Sequence, residues 1–411
     1  MLNLFVVLAS MAIGAIAWTG VHGPMWLLCL LPILWHWADR RARAVSVLSY
    51  SAVGLWPVVA SIEVFFPAWP SYAGVAVWAC FVGVWTLPWI MFGEGRTTLM
   101  RLVTASSALA ITFLPPLGIL AWCHPLLSAG WLAPGGGWLA CLLLILVWSA
   151  SAALKSKLVS GLTAVGLVVL GAYQLHGVEL LLASKQLGLP VGIDTVGKVP
   201  DSPAALAERM GSIADQIAQL PDDGSPAFLP EAAISNWGPS SKALVDLLVS
   251  DLSSRRPIVL GTVFEESEKF AGAVIVHKGN VTSLRARQSL PLSLWRPWDP
   301  DAHHSSSWSQ PGVYNIGGSP VAINICSEEL TIFWAALVSA RALNPQVVVT
   351  MANVWWMTNP QQVASQLRHG EAFAALLGVP YRRAVNWPVG ELRRTVPSRL
   401  QRETREVGVG P

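Results

Sequence analysis

Charge is scarce in this chain of 411 residues: 12% of its side chains are Asp, Glu, Lys or Arg, while 53% are hydrophobic. A mean hydropathy of +0.50 excludes an ordinary soluble globular protein. The scarcity is uneven. Residues 1–175 hold three acids (Asp39, Glu63, Glu94) and seven bases (Arg40, Arg41, Arg43, Arg96, Arg101, Lys155, Lys157), whereas the other 236 residues hold twenty-one acids and twenty bases. Two solvents are implied, lipid for the first part and water for the second. Cysteine is also sparse. Cys29, Cys80, Cys123 and Cys141 fall in apolar segments, so Cys326 stands alone in the polar part and no disulfide can form within it. Basic stretches dense enough to argue for nucleic acid are missing, so direct nucleic-acid binding is not expected. "GGG" at 135–137 lacks the lysine and context of a phosphate loop.

What the first part does contain is long apolar runs, near 2–18, 24–37, 45–66, 71–92, 102–123, 138–153 and 158–175. Most are long enough to cross about 30 Å of hydrocarbon as helices, giving a polytopic α-helical membrane region of about seven helices over 1–176. The run 24–37 is short and carries Pro32, which makes it the weakest span. The opening segment lacks a basic n-region and is followed by further spans, so a retained helix is expected rather than a cleaved signal peptide. With the N-terminus cytoplasmic, "DRRARA", "GEGRTTLMR" and "KSK" all fall in cytoplasmic loops, and the alternate loops carry no Lys or Arg. The expected location is therefore a bacterial inner membrane, multi-pass, with the C-terminal domain in the periplasm. Thirteen tryptophans in this part suit an interfacial aromatic belt. Glu63, near the outer end of its span, is read as snorkelling.

From residue 188 the pattern becomes α/β. "PVGIDTV", "PAFLPEAA", "PIVLGTVFE", "AGAVIVHKGNVTSLRA", "SPVAINIC" and "PQVVVTMAN" read as strands, and 202–219, 240–255, 328–343 and 360–378 carry helical spacing. This gives one domain over 188–390, followed by a polar, disordered tail over 391–411. Cys326 ends a strand and precedes a helical pattern, which predicts a thiol at a helix N-terminus with its pKa lowered. A thiol nucleophile needs a base. Glu231 in "AFLPEAAISNW" ends another strand within apolar surroundings, where burial would raise its pKa toward the working range. The bland alternatives are a core cysteine and a solvated loop glutamate.

The order "LPEAAI", a hairpin with "GNVTSLRARQSLP", "AINICSEEL" and "VVVTMANVWW" resembles the carbon–nitrogen hydrolase (nitrilase) superfamily, with its Glu–Lys–Cys catalytic set. Joined to a polytopic region, the pattern is similar to apolipoprotein N-acyltransferase. It is closer still to the TraB conjugal-transfer proteins of rhizobial and agrobacterial plasmids. The resemblance covers about 188–390 and implies an α-β-β-α sandwich with Glu231 as general base, Cys326 as nucleophile and Glu328 as a supporting carboxylate. It implies further that Asn353, Trp355 and Trp356 close the pocket, and that Gly261 lies on the strand bordering Glu231. The family's lysine falls on Arg287, which can stabilise an oxyanion but cannot give up a proton. Ser327 replaces a usual aromatic residue, and the family's further strands and last membrane helix are missing. No cofactor is implied. "DPDAHHSSSW" sets Asp299, Asp301, His303 and His304 together, but without zinc-like spacing, and reads as a polar loop or lid rather than a metal site.

Two expectations follow. One is an acyltransferase or amidase working through a cysteine thioester, with a phospholipid or a membrane-tethered peptide or lipoprotein as substrate. The other is a catalytically inactive relative that serves as an assembly component alongside conjugation machinery proteins.

Overall fold

Unbroken apolar runs form helices because the straight-chain and small residues in them lose little freedom on coiling, and prolines mark where they bend or stop. The computed structural model describes residues 1–19, 24–120, 122–184, 188–265, 267–291, 294–296, 298–299, 303–357 and 360–389. The expected tail over 391–411 and Asp301 lie outside these described residues. The N-terminal part comprises α1 (Leu2–Thr19), a 3-10 segment Met25–Leu30 running into α2 (Leu31–Trp37), α3 (Arg40–Gly54), α4 (Pro57–Phe65), α5 (Ala73–Ile90), α6 (Thr98–Phe113), the short α7 (Ala129–Leu132), α8 (Gly137–Leu154) and α9 (Lys157–Ala183).

Among the described residues three helices, α5, α8 and α9, are long and apolar enough to cross a membrane. α3 and α4 qualify together as a fourth span bent by 51°, where Pro57 interrupts the backbone ladder. The stretches Leu2–Trp18, Met25–Trp37 and Thr98–Phe113 are apolar but shorter. Glu63 is exposed near the end of α4. Arg43, counted from sequence among the loop charges, is instead a buried clasp. Its Nε donates to the Trp35 carbonyl at 2.9 Å and its Nη1 to the Phe92 carbonyl at 2.6 Å, and it pairs with Glu94 at 2.9 Å.

The second part runs β1 (Val191–Gly192), β2 (Thr195–Val196), α10 (Pro203–Ala218), β3 (Ala227–Phe228), β4 (Asn236–Trp237), α11 (Pro239–Arg255), β5 (Ile258–Glu265), β6 (Lys269–His277), β7 (Asn280–Arg285), β8 (Val313–Ile316), β9 (Ser319–Ile325), a 3-10 segment Cys326–Leu330, α12 (Ile332–Ala340), β10 (Val347–Asn353), α13 (Pro360–Leu377) and β11 (Tyr381–Trp387). Two sheets result. One has the order β1-β3-β5-β6-β7 with β4 also on β5, and the other β2-β11-β10-β9-β8. The "HKGN" hairpin forms as expected, with Lys278 and Gly279 both at positive φ, the geometry of a two-residue turn between twisted strands. β8, "VYNI", was not read from sequence, because four residues are too few to show alternation.

Strand alternation divides the apolar residues of this part between two cores. Phe228, Val259, Ala273 and Leu284 from the first sheet meet Val321, Ile323, Ile325, Val347, Val349, Met351 and Ala384 from the second. The opposite face of the first sheet packs Ile258, Leu260 and Val274 against Ile213 and Ile217 of α10 and Val245 and Val249 of α11.

Packing divides the chain into two units. Met1–Leu182 groups with Leu330–Ala342 and Gln361–Gly378, and the rest of the chain from Ala183 forms the other. Within the first unit, Arg368 of α13 donates to the carbonyls of Ile16 and Ala17, filling acceptors that the last turn of α1 leaves open. His369 stacks on Trp18 with ring centroids 4.9 Å apart and reaches the Trp122 carbonyl. Phe333 of α12 packs edge-on against Phe113 at 5.7 Å.

Candidate active site

The second unit gathers its polar side chains at the C-terminal ends of β9, β10 and β11. β9 is apolar through Ile325, and the chain then turns sharply, with Cys326 held at φ 48°, a conformation unfavourable for any residue bearing a Cβ. Such a turn lifts the sulfur clear of the strand. Glu231 follows Pro230 on the loop after β3, and Ala232 beyond it is also left-handed, at φ 55°. β5 passes so close beneath this loop that a Cβ on Gly261 would lie 2.2 Å from the Pro230 carbonyl oxygen and 2.6 Å from the Glu231 Cα. Only glycine fits there. The expected bordering role of Gly261 is thus a backbone contact.

These turns bring Glu231 and Cys326 together, and the thiol hydrogen-bonds to the carboxylate. Glu231 is 7% exposed, and its pKa is pushed up to about 7, mainly by burial and then by the nearby Glu328 charge, against the opposing pull of the Cys326 hydrogen bond. The Cys326 thiol differs from the sequence expectation. Its pKa is raised well above the ordinary thiol value, first by desolvation and then by the Glu231 and Glu329 charges, with only the Asn353 backbone N–H acting the other way. The expected helix N-terminus is not at the sulfur: Cys326–Leu330 is a 3-10 turn, and α12 begins only at Ile332. Cys326 therefore rests as a neutral thiol beside a carboxyl group whose pKa is raised to about 7.

Arg287 and Glu328 form a second buried centre, each side chain 2% exposed. Glu328 Oε2 accepts from Arg287 Nη2 at 3.0 Å, from Arg287 Nε at 3.3 Å and from the Ile325 N–H at 3.1 Å, while Oε1 accepts from the backbone N–H groups of Arg287 and Gln288. Arg287 Nη2 also donates to Asn324 Oδ1 at 2.8 Å. One carboxylate thus ties the segment after β7 to the end of β9, next to the nucleophile. Gly312 makes room for the guanidinium, since a Cβ there would lie 2.4 Å from Nη1. Glu329, fully buried, accepts from the Tyr381 hydroxyl at 2.9 Å.

Asn353 lies beside Cys326 because parallel pairing sets Met351 opposite Ile325 and carries β10 two residues further. Its Oδ1 accepts from Asn386 at 2.9 Å and its carbonyl accepts from Trp356 Nε1 at 3.1 Å. Trp355 is half-buried in the same segment. His303 lies on the expected polar loop, its Nδ1 accepting from the Arg296 N–H at 3.1 Å. Sequence reading missed Asn386, Thr195, Asn324 and Tyr381. Asn324 and Asn386 are polar residues inside apolar strands, which is a visible signal, but their partners depend on strand register.

Comparison with known proteins adds a history to this geometry. The chain is 27% identical over 402 residues to a probable conjugal transfer protein TraB of Sinorhizobium fredii, covering 91% of this chain and 95% of the relative. It is also 27% identical over 406 residues to the conjugal transfer protein TraB of Agrobacterium fabrum, covering 92% of each. The chain is a homologue of proteins named TraB. The likeness to the TraB proteins spans both the helical and the α/β parts. No protein-family model matches. Among solved structures, a carbon–nitrogen hydrolase from Helicobacter pylori aligns with a TM-score of 0.37 and 10% identity, covering 48% of this chain and 73% of the hydrolase. An amidase of the nitrilase superfamily from Nesterenkonia aligns with a TM-score of 0.34 and 16% identity, covering 49% of this chain and 78% of the amidase.

Proposed function

We propose that the protein is a membrane-bound, nitrilase-like enzyme that works through a thioester on Cys326, transferring an acyl group or hydrolysing an amide in support of plasmid conjugal transfer. The observation that carries this is the buried Glu231 carboxyl bonded to a thiol on a strained turn. Two facing sheets with α10 and α11 on the outer face of the first supply three of the four layers of the α-β-β-α sandwich that the resemblance implies. Glu231 takes the Cys326 proton as sulfur attacks the acyl carbonyl, the tetrahedral oxyanion forms and collapses, and the leaving group departs with the proton held by Glu231. Water or an amine then attacks the thioester carbonyl while Glu231 accepts its proton, the C–S bond breaks to release the acyl product, and the proton returns from Glu231 to the Cys326 sulfur. Arg287 stands where the family resemblance expects lysine and supplies a positive charge fixed in place by Glu328.

Among the described residues three helices, or four with the bent pair counted as one, are long and apolar enough to span, and the seven-span reading adds the three shorter apolar stretches to them. Positive loops on the cytoplasmic side put the α/β part in the periplasm of a bacterial inner membrane. A membrane so close in sequence to the site favours a phospholipid or a membrane-tethered peptide or lipoprotein as substrate. The TraB name of the relatives supports a role among conjugation machinery proteins.

One observation favours a second role. The Arg287–Glu328 clasp is a complete ion pair that would hold the pocket folded without turnover, as an inactive assembly component would need. Intact mass of the protein purified from membranes, together with transfer frequency of a Cys326→Ala strain, separates the two. An acyl adduct confined to Cys326 and loss of transfer in the variant support the enzyme. Normal transfer by a well-folded Cys326→Ala protein would leave only the assembly role.

A further inference from the structure

A row of polar side chains crosses the C-terminal edge of the second sheet. Register sets Asn353 opposite Asn386 and Asn386 opposite Thr195. Thr195 donates its hydroxyl to Asn386 Oδ1 at 2.8 Å, and Asn386 Nδ2 donates to the Gly197 carbonyl at 3.0 Å and to Asn353 Oδ1 at 2.9 Å. Chemistry fixes which atom is which. A backbone carbonyl can only accept, so the Asn386 atom facing Gly197 is the amide nitrogen. The same nitrogen faces Asn353, so the Asn353 atom it meets is the oxygen. Asn353 Nδ2 is therefore turned out of the row.

Asn353 has the parity of Val347, Val349 and Met351, whose side chains fill the space between the sheets, and its own N–H bonds to the Cys326 sulfur. It is half-buried, and among the described residues its Nδ2 has no hydrogen-bond partner. A two-hydrogen donor is thus left without a protein partner on the residue whose backbone N–H meets the Cys326 sulfur. Arg287, the other side-chain donor here, has Nε and Nη2 engaged by Glu328 and Asn324.

We infer that Asn353 Nδ2 is a donor to the acyl oxygen and that Asn386 is the positioning residue that fixes its orientation; this rests on the thioester chemistry proposed above. As Cys326 sulfur bonds to the carbonyl carbon, the π electrons move to oxygen and the Nδ2–H stabilises that charge. Collapse restores the carbonyl and expels the leaving group, which takes the proton Glu231 received from the thiol. Asn386 touches no reacting atom. Its amide blocks the flip that would present the Asn353 oxygen instead.

The full chain in lipid nanodiscs is treated in parallel with a p-nitrophenyl acyl ester and with iodoacetamide, and modification is quantified by mass on the Cys326 peptide. Ester attack builds an oxyanion, whereas alkylation is a displacement at saturated carbon and builds none. Asn353→Ala, and Asn353→Asp, which keeps the acceptor for Asn386, are expected to slow ester acylation on the order of 100-fold relative to alkylation. Asn386→Leu, which frees the Asn353 amide to flip, is expected to lower the same ratio about 10-fold. Melting temperatures of the variants accompany the ratio, because an unfolded chain would expose Cys326 to alkylation and lower the ratio for a different reason; a lowered ratio in a variant that melts with the wild type supports the inference. Acylation and alkylation falling together, or acylation at the wild-type rate, would overturn the inference alone. A wild-type protein that alkylates at Cys326 but takes no acyl group overturns the thioester chemistry, and the inference with it.

Discussion

At the scale of single residues, Glu231 and Cys326 form the hydrogen-bonded pair on which the proposed chemistry rests, and their titration gives a direct handle on it. Below pH about 7 Glu231 keeps its proton and cannot take that of the thiol. Peptide-level labelling of Cys326 is therefore expected to accelerate as pH rises through about 7, and Glu231→Gln should abolish that limb. An unchanged profile in the variant would remove Glu231 as the base. The same shift has a stability sign. A carboxyl whose folded pKa lies above its unfolded value of 4.5 favours the folded state fully below 4.5 and loses that contribution as pH climbs through about 7. At one unit per roughly 1.4 kcal/mol, the wild type should lose up to about 3 kcal/mol between pH 4.5 and pH 8 from this group, and Glu231→Gln should not. Melting temperatures at the two pH values check this. Arg287 obeys a different rule. Removing one member of a buried ion pair leaves the other charge unpaired, so Arg287→Ala is expected to cost about 3–5 kcal/mol. Arg287→Lys keeps the charge but loses the forked contact to Glu328, so its melting temperature should fall between those of Arg287→Ala and the wild type. Wild-type melting of the alanine variant would show that the clasp does not hold the pocket.

At the scale of elements, backbone positions set the geometry that side chains then use. A methyl group at Gly261 has no space against the Pro230 carbonyl, so Gly261→Ala must push the Glu231 loop away from β5. The expected result is a melting temperature lowered by several degrees and loss of the pH limb near 7 in Cys326 labelling. Retention of both would mean that the loop adjusts without moving Glu231. Much of this was legible in the sequence. β5, β6, β7, β9 and β10 fall where Val and Ile runs bounded by Gly, Pro and Asn predict them, and Glu231 and Cys326 stand out as isolated reactive groups at strand ends. The rest depends on information that a single chain does not display. The thiol pKa took the opposite direction because tertiary packing desolvates the sulfur and sets the charges of Glu231 and Glu329 near it, while the helix assumed to lower it starts at Ile332. Asn386 becomes informative only once β11 is registered against β10 and β2. β8 could not be seen because its pattern is set by β9 alone.

At the scale of the whole molecule, charge and lipid decide orientation. On the proposed topology, with the basic loops cytoplasmic, a phosphatase fused after residue 410 is expected to be active and a cytoplasm-only reporter silent. The reverse pattern would remove the periplasmic placement of Cys326. The division into units carries a further consequence. The chain passes between them at 182/183, 329/330, 342/343, 360/361 and 378/379, so two helices encoded within the α/β part of the sequence belong by packing to the helical N-terminal unit. A gene fragment encoding 183–411 alone would leave Arg368, His369 and Phe333 without Ala17, Trp122 and Phe113. In heredity this is a constraint on recombination. A crossover near codon 183, which would exchange one self-contained module for another in a beads-on-a-string protein, here pairs α12 and α13 from one parent with helices from the other. Divergence in either half must be matched by compensating change in the other, and the two are expected to descend together as a single inherited block.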